Sequence, residues 1–211
     1  MKRKIYYKKT GMYIDWKPLS EMPDIKNFID IGVGEGTKDL WKKYKNKRII
    51  CIDPLRESET ITKRLLKGKN FSFHKYAVGS KEQIKTLNVE KAIGRSTLLK
   101  VTKKNFEGKP TSKIKVRVKT LDSIVKKLYL KGTIGIKIDI EGYELEAIKG
   151  AKKTLLNTKF LIVEARHNHK TFHNQYKFSD LMTLMTNQNF VLTHIFTAKP
   201  FIVDLCFQPN K

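Results

Sequence analysis

The chain has few cysteines and no long apolar run. Its 211 residues include two cysteines, Cys51 and Cys206, and both lie in apolar stretches typical of buried strands. We therefore expect two small core residues rather than a disulfide framework or a cysteine metal site, and a reduced, cytoplasmic environment. No apolar stretch approaches the ~20 residues that a membrane-spanning helix requires, so no transmembrane segment is predicted.

Acidic residues are scarce relative to basic ones. The chain has 44 Lys and Arg against 20 Asp and Glu, a formal net charge of +24. Residues 91–131 alone carry 13 basic and 2 acidic side chains. A surface of this charge attracts polyanions such as nucleic acid, an anionic glycan or a phosphorylated lipid carrier. Lysine outnumbers arginine, however, and a lysine-rich composition also follows from an AT-rich genome, so both explanations stay open.

Hydrophobic residues make up 40% of the chain, enough for a core, and their spacing predicts alternating strands and helices. Strands are predicted at 26–31, 48–53, 71–78, 133–140, 160–165, 191–196 and 201–207, and helices at 37–44, 57–66, 121–130, 143–156 and 178–187. This order predicts a doubly wound, Rossmann-like α/β fold. We expect a mostly parallel seven-stranded sheet with one antiparallel strand near an edge.

The domain organisation is predicted to be simple. Residues 26–211 would form one domain, and residues 1–25, which mix aromatic and basic side chains, a flanking segment or lid. Residues from about 80 to 120 contain short alternating stretches that suggest an inserted β-flap.

A glycine-rich run, FIDIGVGEGT, extends from Phe28 to Thr37. An apolar strand ends in Asp30, and three glycines follow at alternate positions. Glycines allow the backbone to approach a ligand closely, and the N–H groups of the next helix can bind an anionic group. An ordinary tight turn would have the same residues. The spacing differs from the G-x-G-x-x-G of dinucleotide sites.

Acidic residues around the glycines favour S-adenosylmethionine (SAM) over a dinucleotide. A pyrophosphate would be poorly placed beside the carboxylates of Asp30 and Glu35, whereas Asp30 suits the positive amino and sulfonium end of SAM. Asp53 ends the second strand and could accept both ribose hydroxyls. Apolar residues at the end of the third strand would contact the adenine. The predicted cofactor-binding residues are Asp30, Gly32, Gly34, Glu35, Gly36, Asp53, Ala77, Val78 and Asp139.

Three acids cluster in the segment KIDIEGYEL at 137–145. Asp139 and Glu141 would face a common cleft if the strand ends at Ile140, and Glu144 lies one turn further on. Like charges at one strand end repel each other and are typical of functional sites. Alternatively, the acids only stabilise the N-terminus of the next helix.

Together these motifs resemble the FkbM-type SAM-dependent methyltransferases. The resemblance covers residues 27–168 and rests on FIDIGVGEG, CIDP, YAVGS, RSTLL, VKTLDSIV, IKIDIEGYELEAIKGA and FLIVEARHN. It implies the class I methyltransferase fold, SAM as cofactor and O-methyl transfer to a hydroxyl, commonly on a sugar. The family usually has asparagine where this chain has Gly34, and an apolar residue at Glu35, so contacts to the methionine end of SAM could differ.

A sugar hydroxyl is a weak nucleophile and benefits from a base. The candidate catalytic residues are Asp139, Glu141, Glu164 and His167. Asp139 is the first choice as base or for positioning the acceptor, although it could instead bind the amino group of the cofactor. His169 and His173 could share a divalent metal with Glu141 or Asp139, but exposed loop histidines are the simpler interpretation, and we expect no metal.

Two other functions remain open. An RNA ribose 2′-O-methyltransferase would agree with the net charge, but such enzymes commonly carry a lysine where this chain has Glu164. A non-catalytic SAM- or nucleic-acid-binding module would use residues 91–131 as its binding surface, although the acids at the cleft argue against it. The favoured function is O-methyl transfer to a sugar or glycan acceptor, and the basic charge is compatible with an anionic one.

Overall fold

The computed structural model describes residues 5–7, 12–15, 18–102, 111–167 and 171–210. The main sheet contains β1 (Ile5–Tyr7), β2 (Met12–Ile14), β3 (Asn27–Ile31), β4 (Arg48–Ile52), β5 (Phe71–His74), β9 (Ile134–Ile138), β10 (Thr158–Arg166), β11 (Phe190–Ala198) and β12 (Ile202–Pro209). A small sheet contains β6 (Ala77–Val78), β7 (Gln83–Val89) and β8 (Ser112–Lys119). The helices are α1 (Pro18–Glu21), α2 (Lys38–Lys43), α3 (Arg56–Leu65), α4 (Leu121–Lys127), α5 (Glu144–Lys149), α6 (Lys152–Leu155) and α7 (Phe178–Asn187).

The strand order of the main sheet is β1-β2-β11-β12-β10-β9-β3-β4-β5. Strands β5, β4, β3, β9 and β10 are parallel, and β12 lies antiparallel between β10 and β11. The seven strands from β11 to β5 confirm the predicted doubly wound sheet with one antiparallel strand near its edge. In such sheets a ligand binds at the carboxyl ends of the parallel strands, where the order reverses between β3 and β9.

Segment 1–25, expected to be a flank or lid, contains β1, β2 and α1 in its described part. β1 and β2 pair antiparallel, and β2 pairs with β11, so they extend the sheet by two strands at that edge. Among the residues that the structure describes, every helix is too short or too polar to cross a lipid bilayer.

The region of the predicted flap forms the small sheet. β7 and β8 pair antiparallel over their whole length, and β6 pairs parallel with β8. The predicted continuous strand at 71–78 is wrong, because β5 ends at His74 and the N–H of Tyr76 turns back to the His74 carbonyl oxygen. The chain therefore leaves the main sheet and enters the small one.

The single helix predicted at 143–156 is also wrong, because it is interrupted at Gly150 between α5 and α6. The Gly150 carbonyl accepts a hydrogen bond from the Asp122 N–H. The Asp122 carboxylate in turn accepts hydrogen bonds from the N–H groups of Lys153 and Thr154 and from the Thr154 hydroxyl. Asp122 therefore caps α6, while Thr120 caps α4.

The core lies on both faces of the main sheet, because its central strands are apolar at successive positions. On β3, Ile29 and Ile31 pack into one cluster and Phe28 into the other. Asp30 shares the second face with Phe28, and Lys137 lies opposite it on β9 in the pairing register. A polar row therefore interrupts this face close to the carboxyl ends of the strands.

Candidate active site

A cleft of about 490 Å³, including its open mouth, lies at the carboxyl ends of β3, β4 and β9. Gly32, which follows β3, has a φ of +77° and donates its N–H to the Ile52 carbonyl oxygen. A Cβ atom on Gly32 would lie 1.7 Å from the carbonyl oxygen of Asp139. Glycine is therefore required here, both for the left-handed backbone and for the close contact between the β3 and β9 loops.

Asp53 connects the glycine run to the second strand. Its carboxylate accepts hydrogen bonds from the N–H groups of Gly34, at 3.1 Å, and Leu55, at 2.9 Å. Burial raises the pKa of Asp53, against the effect of these donors. Both carboxylate oxygens are thereby oriented beside the cleft, and each retains acceptor capacity for a further donor.

The remaining cleft wall is largely apolar. Ala77 and Val78 line it as predicted, together with Leu87 of β7. Residues 93–99, which we call the strap, cross the cleft, with Ile93, Gly94, Ser96 and Leu98 among its lining residues. No cofactor-binding or catalytic residue was predicted in the strap, although its RSTLL motif contributes to the family resemblance.

Asp30 is fully buried and does not line the cleft. Its Oδ2 atom accepts a hydrogen bond of 2.7 Å from the Trp41 Nε1–H. Its Oδ1 atom is buried with no hydrogen-bond partner among the described residues. Burial raises the pKa of Asp30 to about 6, and the positive charge of Lys137 opposes this increase. Asp30 is therefore oriented by Trp41 of α2, the helix that follows the glycine run, and is not exposed at the surface of the cleft.

The other two motif residues lie outside the cleft lining. Glu35 is exposed. Gly36 has a φ of +100°, and a Cβ atom there would lie 2.9 Å from the Trp41 ring. Gly36 therefore allows the tight turn into α2 and close packing of Trp41 over the run.

Three predicted catalytic acids converge next to the cleft. Oxygen atoms of Asp139, Glu141 and Glu164 lie within 4.8 Å of one another. Asp139 lines the cleft with a quarter of its side chain exposed, whereas the Glu141 side chain is 9% exposed. Such a carboxylate set can hold a divalent cation, although two protein cations already contact it.

These cations are Lys137 and Arg166. Lys137 Nζ lies 2.8 Å from Asp139 Oδ2, and the Arg166 guanidinium pairs with the Glu141 carboxylate. Although burial acts to lower it, the pKa of Lys137 is raised by the carboxylates of Asp139 and Asp30. Lys137 is therefore charged, and its charge favours the ionised form of Asp30.

The other acids of the group are desolvated. Burial, followed by the charges of Asp139 and Asp204, raises the pKa of Glu164 well above its usual range. Burial also raises the pKa of Glu141, against the effect of Arg166. A carboxylate that faces the cleft beside two acids of raised pKa can accept a proton and pass it on.

Glu144 organises the loop that carries these acids. Its Oε1 atom accepts hydrogen bonds from the N–H groups of Ile140, at 3.2 Å, and Gly142, at 2.9 Å. The side chain is buried, and burial raises its pKa to about 7. Glu144 therefore has a structural role within the acid cluster that the sequence indicated.

Among the described residues, His167 and His173 do not join the three acids. The exposed His167 Nε2 atom lies 3.1 Å from the Lys199 carbonyl oxygen, and its ring contacts Phe178 edge-on. His173 is exposed and donates its backbone N–H to the Lys100 carbonyl. His169 lies outside the described residues. Lys137 and Arg166 were missed as site residues, although both lie within motifs that the sequence singled out.

A family model described as the methyltransferase FkbM domain matches residues 30–192. Among solved structures, methyltransferase FkbM from Methylobacillus flagellatus superposes with a TM-score of 0.55 at 18% identity, covering 86% of this chain and 43% of that protein. This chain thus spans less than half the length of that relative. A second structure is a Listeria monocytogenes protein whose description as a SAM-dependent methyltransferase is a provisional assignment. It superposes with a TM-score of 0.51 at 10% identity, covering 93% of this chain and 98% of that protein.

These two similarities support the class I methyltransferase fold. No protein with a curated function matches the chain. The family model covers well over half of the sequence and includes both the glycine run and the acidic motif. The chain belongs to the FkbM methyltransferase family.

Proposed function

We propose that this chain is a SAM-dependent O-methyltransferase that methylates a hydroxyl group of a sugar or glycan. The observation that carries the proposal is the meeting of Asp139, Glu141 and Glu164 beside a cleft built from the glycine run. Family membership supports methyl transfer, and the carboxylates suit the deprotonation of a hydroxyl.

The cleft residues fit the proposed cofactor. The backbone at Gly32 and Gly34 is left-handed and without side chains, which leaves room for a ligand against the chain. The Asp53 carboxylate is held by two N–H groups and suits a ribose diol. Ala77, Val78 and Leu87 offer an apolar surface for a base. Asp30 is buried and does not line the cleft, so its carboxylate would act on the positive end of the cofactor through its charge or through water.

Bound SAM would supply an electrophilic methyl group, so the protein mainly has to align the acceptor oxygen and remove its proton. We assign to the Asp139 carboxylate the hydrogen bond from the acceptor hydroxyl. This carboxylate would take the hydroxyl proton as the new C–O bond forms and the methyl–sulfur bond breaks, with S-adenosylhomocysteine as the leaving group. The Lys137 ammonium, 2.8 Å from Asp139 Oδ2, holds this carboxylate in place at the cleft. Glu164 and Glu141 are the neighbouring acids to which the proton could pass, and no metal is needed for this arrangement.

The test is a comparison of Asp139→Asn with an Asp39→Asn control on the exposed surface of α2. Labelled SAM and a panel of glycans would identify the acceptor with the wild-type chain. We expect Asp139→Asn to lower kcat by ~10²–10⁴, as for other general bases, while S-adenosylhomocysteine binds within about threefold of wild type. Unchanged turnover in Asp139→Asn would disprove the catalytic assignment.

The flap supports an anionic acceptor. Along β8, Val116 and Val118 are buried, whereas the alternate residues Lys113, Lys115 and Arg117 are exposed on the other face. Lys113 and Lys115 line a groove with Lys100, which follows the strap. Within the described residues, no carboxylate forms an ion pair with these three lysines. We infer that the groove binds negative groups on the glycan.

This inference is tested with a sulfated oligosaccharide and a single-stranded RNA oligonucleotide as probes. The groove variant carries Gln at 100, 113 and 115, and a control of equal charge carries Gln at the exposed positions 45, 67 and 69. We expect the groove variant to bind the oligosaccharide at least tenfold more weakly than the control. Equal losses would indicate bulk charge alone. Tighter binding of RNA, with methyl transfer to it, would favour the RNA ribose methyltransferase instead.

A further inference from the structure

The strap connects the two halves of the proposed site. At its start, the Gly94 backbone lies over the glycine run, since a Cβ atom on Gly34 would be 3.0 Å from Gly94 Cα. Further on, Leu98 lines the same cleft and packs near Leu99 and Tyr143. The strap therefore covers the proposed cofactor site and reaches the loop that carries the acids.

Thr97 makes a buried hydrogen bond between the strap and that loop. Its hydroxyl donates a 2.7 Å hydrogen bond to the Glu141 carbonyl oxygen and accepts one of 3.1 Å from the Leu99 N–H. Thr97 is 1% exposed. The hydroxyl thus donates its proton to the Glu141 loop and accepts a hydrogen bond within the strap, at a position from which water is excluded.

The contact falls on an unusual backbone position. Glu141 has a φ of +54°, a region that non-glycine residues seldom occupy and that needs support from its surroundings. The bond from Thr97 supports this conformation, and the conformation directs the Glu141 side chain towards Arg166 and the other acids. A change in the strap can therefore reach Glu141 through this hydroxyl group, alongside the apolar packing of Leu99 against Tyr143.

We propose that Thr97 is a positioning residue that couples the strap over the cofactor cleft to the Glu141 loop. Closing the strap over the cofactor would thereby hold Glu141 and its neighbours in their arrangement for methyl transfer. This inference rests on the proposed function, because it takes the cleft to be the SAM site.

The decisive variant is Thr97→Val, which keeps the shape of the side chain and removes the hydroxyl. The backbone hydrogen bonds between Thr97 and Asn88 remain, so the strap stays paired with β7. Thr97→Ser restores the hydroxyl. Thr111→Val is the matched control, because the Thr111 hydroxyl also donates to a backbone carbonyl in the flap, that of Val89, but at an exposed site.

Two measurements on the whole chain test the coupling: the Kd for S-adenosylhomocysteine, and amide hydrogen exchange in residues 93–99 and 139–145. For Thr97→Val we expect a three- to tenfold weaker Kd, in line with the loss of one buried hydrogen bond, and faster exchange in both segments. Thr97→Ser should return both to within twofold of wild type, and Thr111→Val should change neither.

The outcomes separate the inference from the proposed function. If the wild-type chain does not bind S-adenosylhomocysteine, the proposed function fails. If it binds but Thr97→Val accelerates exchange in the strap alone, the coupling is refuted. Should Thr97→Val fail to fold, Gly34→Ala tests the same connection from the other side, because its methyl group would push on Gly94. Exchange should then rise in both segments, and a rise confined to the strap would again refute the coupling.

Discussion

Glu144→Gln should make the stability of this protein less dependent on pH. The wild-type carboxyl has a pKa of about 7 because it is buried, against an ordinary value of 4.5 in an unfolded chain. The folded state therefore binds a proton that the unfolded state has already lost, so the free energy of unfolding falls as pH rises through this interval. The difference between the two pKa values corresponds to about 3 kcal/mol. Glutamine retains the Oε1 acceptor for the N–H groups of Ile140 and Gly142 but cannot ionise.

The assay is urea unfolding of wild type and Glu144→Gln at several pH values from 4.5 to 8.5. Relative to the variant, the wild type should lose about 3 kcal/mol over this range, with most of the loss between pH 4.5 and 7. Glu57→Gln, on the exposed surface of α3, is the control and should follow the wild type. A constant difference between wild type and Glu144→Gln across the range would refute the argument that burial of Glu144 sets its proton affinity.

Two further substitutions test the supports of the glycine run. Gly32→Ala should destabilise the protein by at least ~3 kcal/mol, because its methyl group would collide with the Asp139 carbonyl. Gly68 is the control, because it has a similar φ of +75° but open space around it. Gly68→Ala should therefore cost only about 1 kcal/mol. Thermal unfolding of both variants checks this, and equal losses would contradict it. Trp41→Phe removes the hydrogen bond to Asp30 and should cost ~1–3 kcal/mol. That loss should be larger at pH 8 than at pH 5, because Asp30 has a pKa of about 6 and its ionised form gains most from the hydrogen bond. Urea unfolding at both pH values is the measurement. An equal loss at the two pH values would contradict this reasoning.

The fold was predictable because its central strands are apolar at successive positions and end in acids or glycines. Such runs are typical of strands buried on both faces, and their alternation with helices leaves few topologies. The errors arose where tertiary contacts override local pattern. The interruption of the helix at Gly150 depends on Asp122, about thirty residues earlier in the chain. Likewise, β6 leaves the main sheet because β8 offers it a partner.

The site was predictable in its acids but not in the groups that hold them. Asp139 and Glu141 follow β9, and Glu164 lies near the carboxyl end of the adjacent parallel strand β10, so the strand order implied that they meet. The ion pairs with Lys137 and Arg166 depend on which face each side chain takes near the strand end. That choice changes with a one-residue shift in register, so sequence pattern alone does not determine it.

Gly34 shows how one substitution at a motif position can be connected to a distant segment. With its φ of +50°, this position suits glycine or the asparagine expected from the family resemblance, so backbone conformation does not account for the difference. The reason lies in the strap. Any Cβ atom at Gly34 would be 3.0 Å from Gly94 Cα, so an asparagine side chain would push the strap away from the glycine run. The missing side chain at Gly34 thus permits the close approach of Gly94. The strap is connected in turn to the backbone of Glu141 by the hydrogen bond from the Thr97 hydroxyl. We therefore expect the strap to lie closer to the cofactor cleft here than in relatives that carry asparagine.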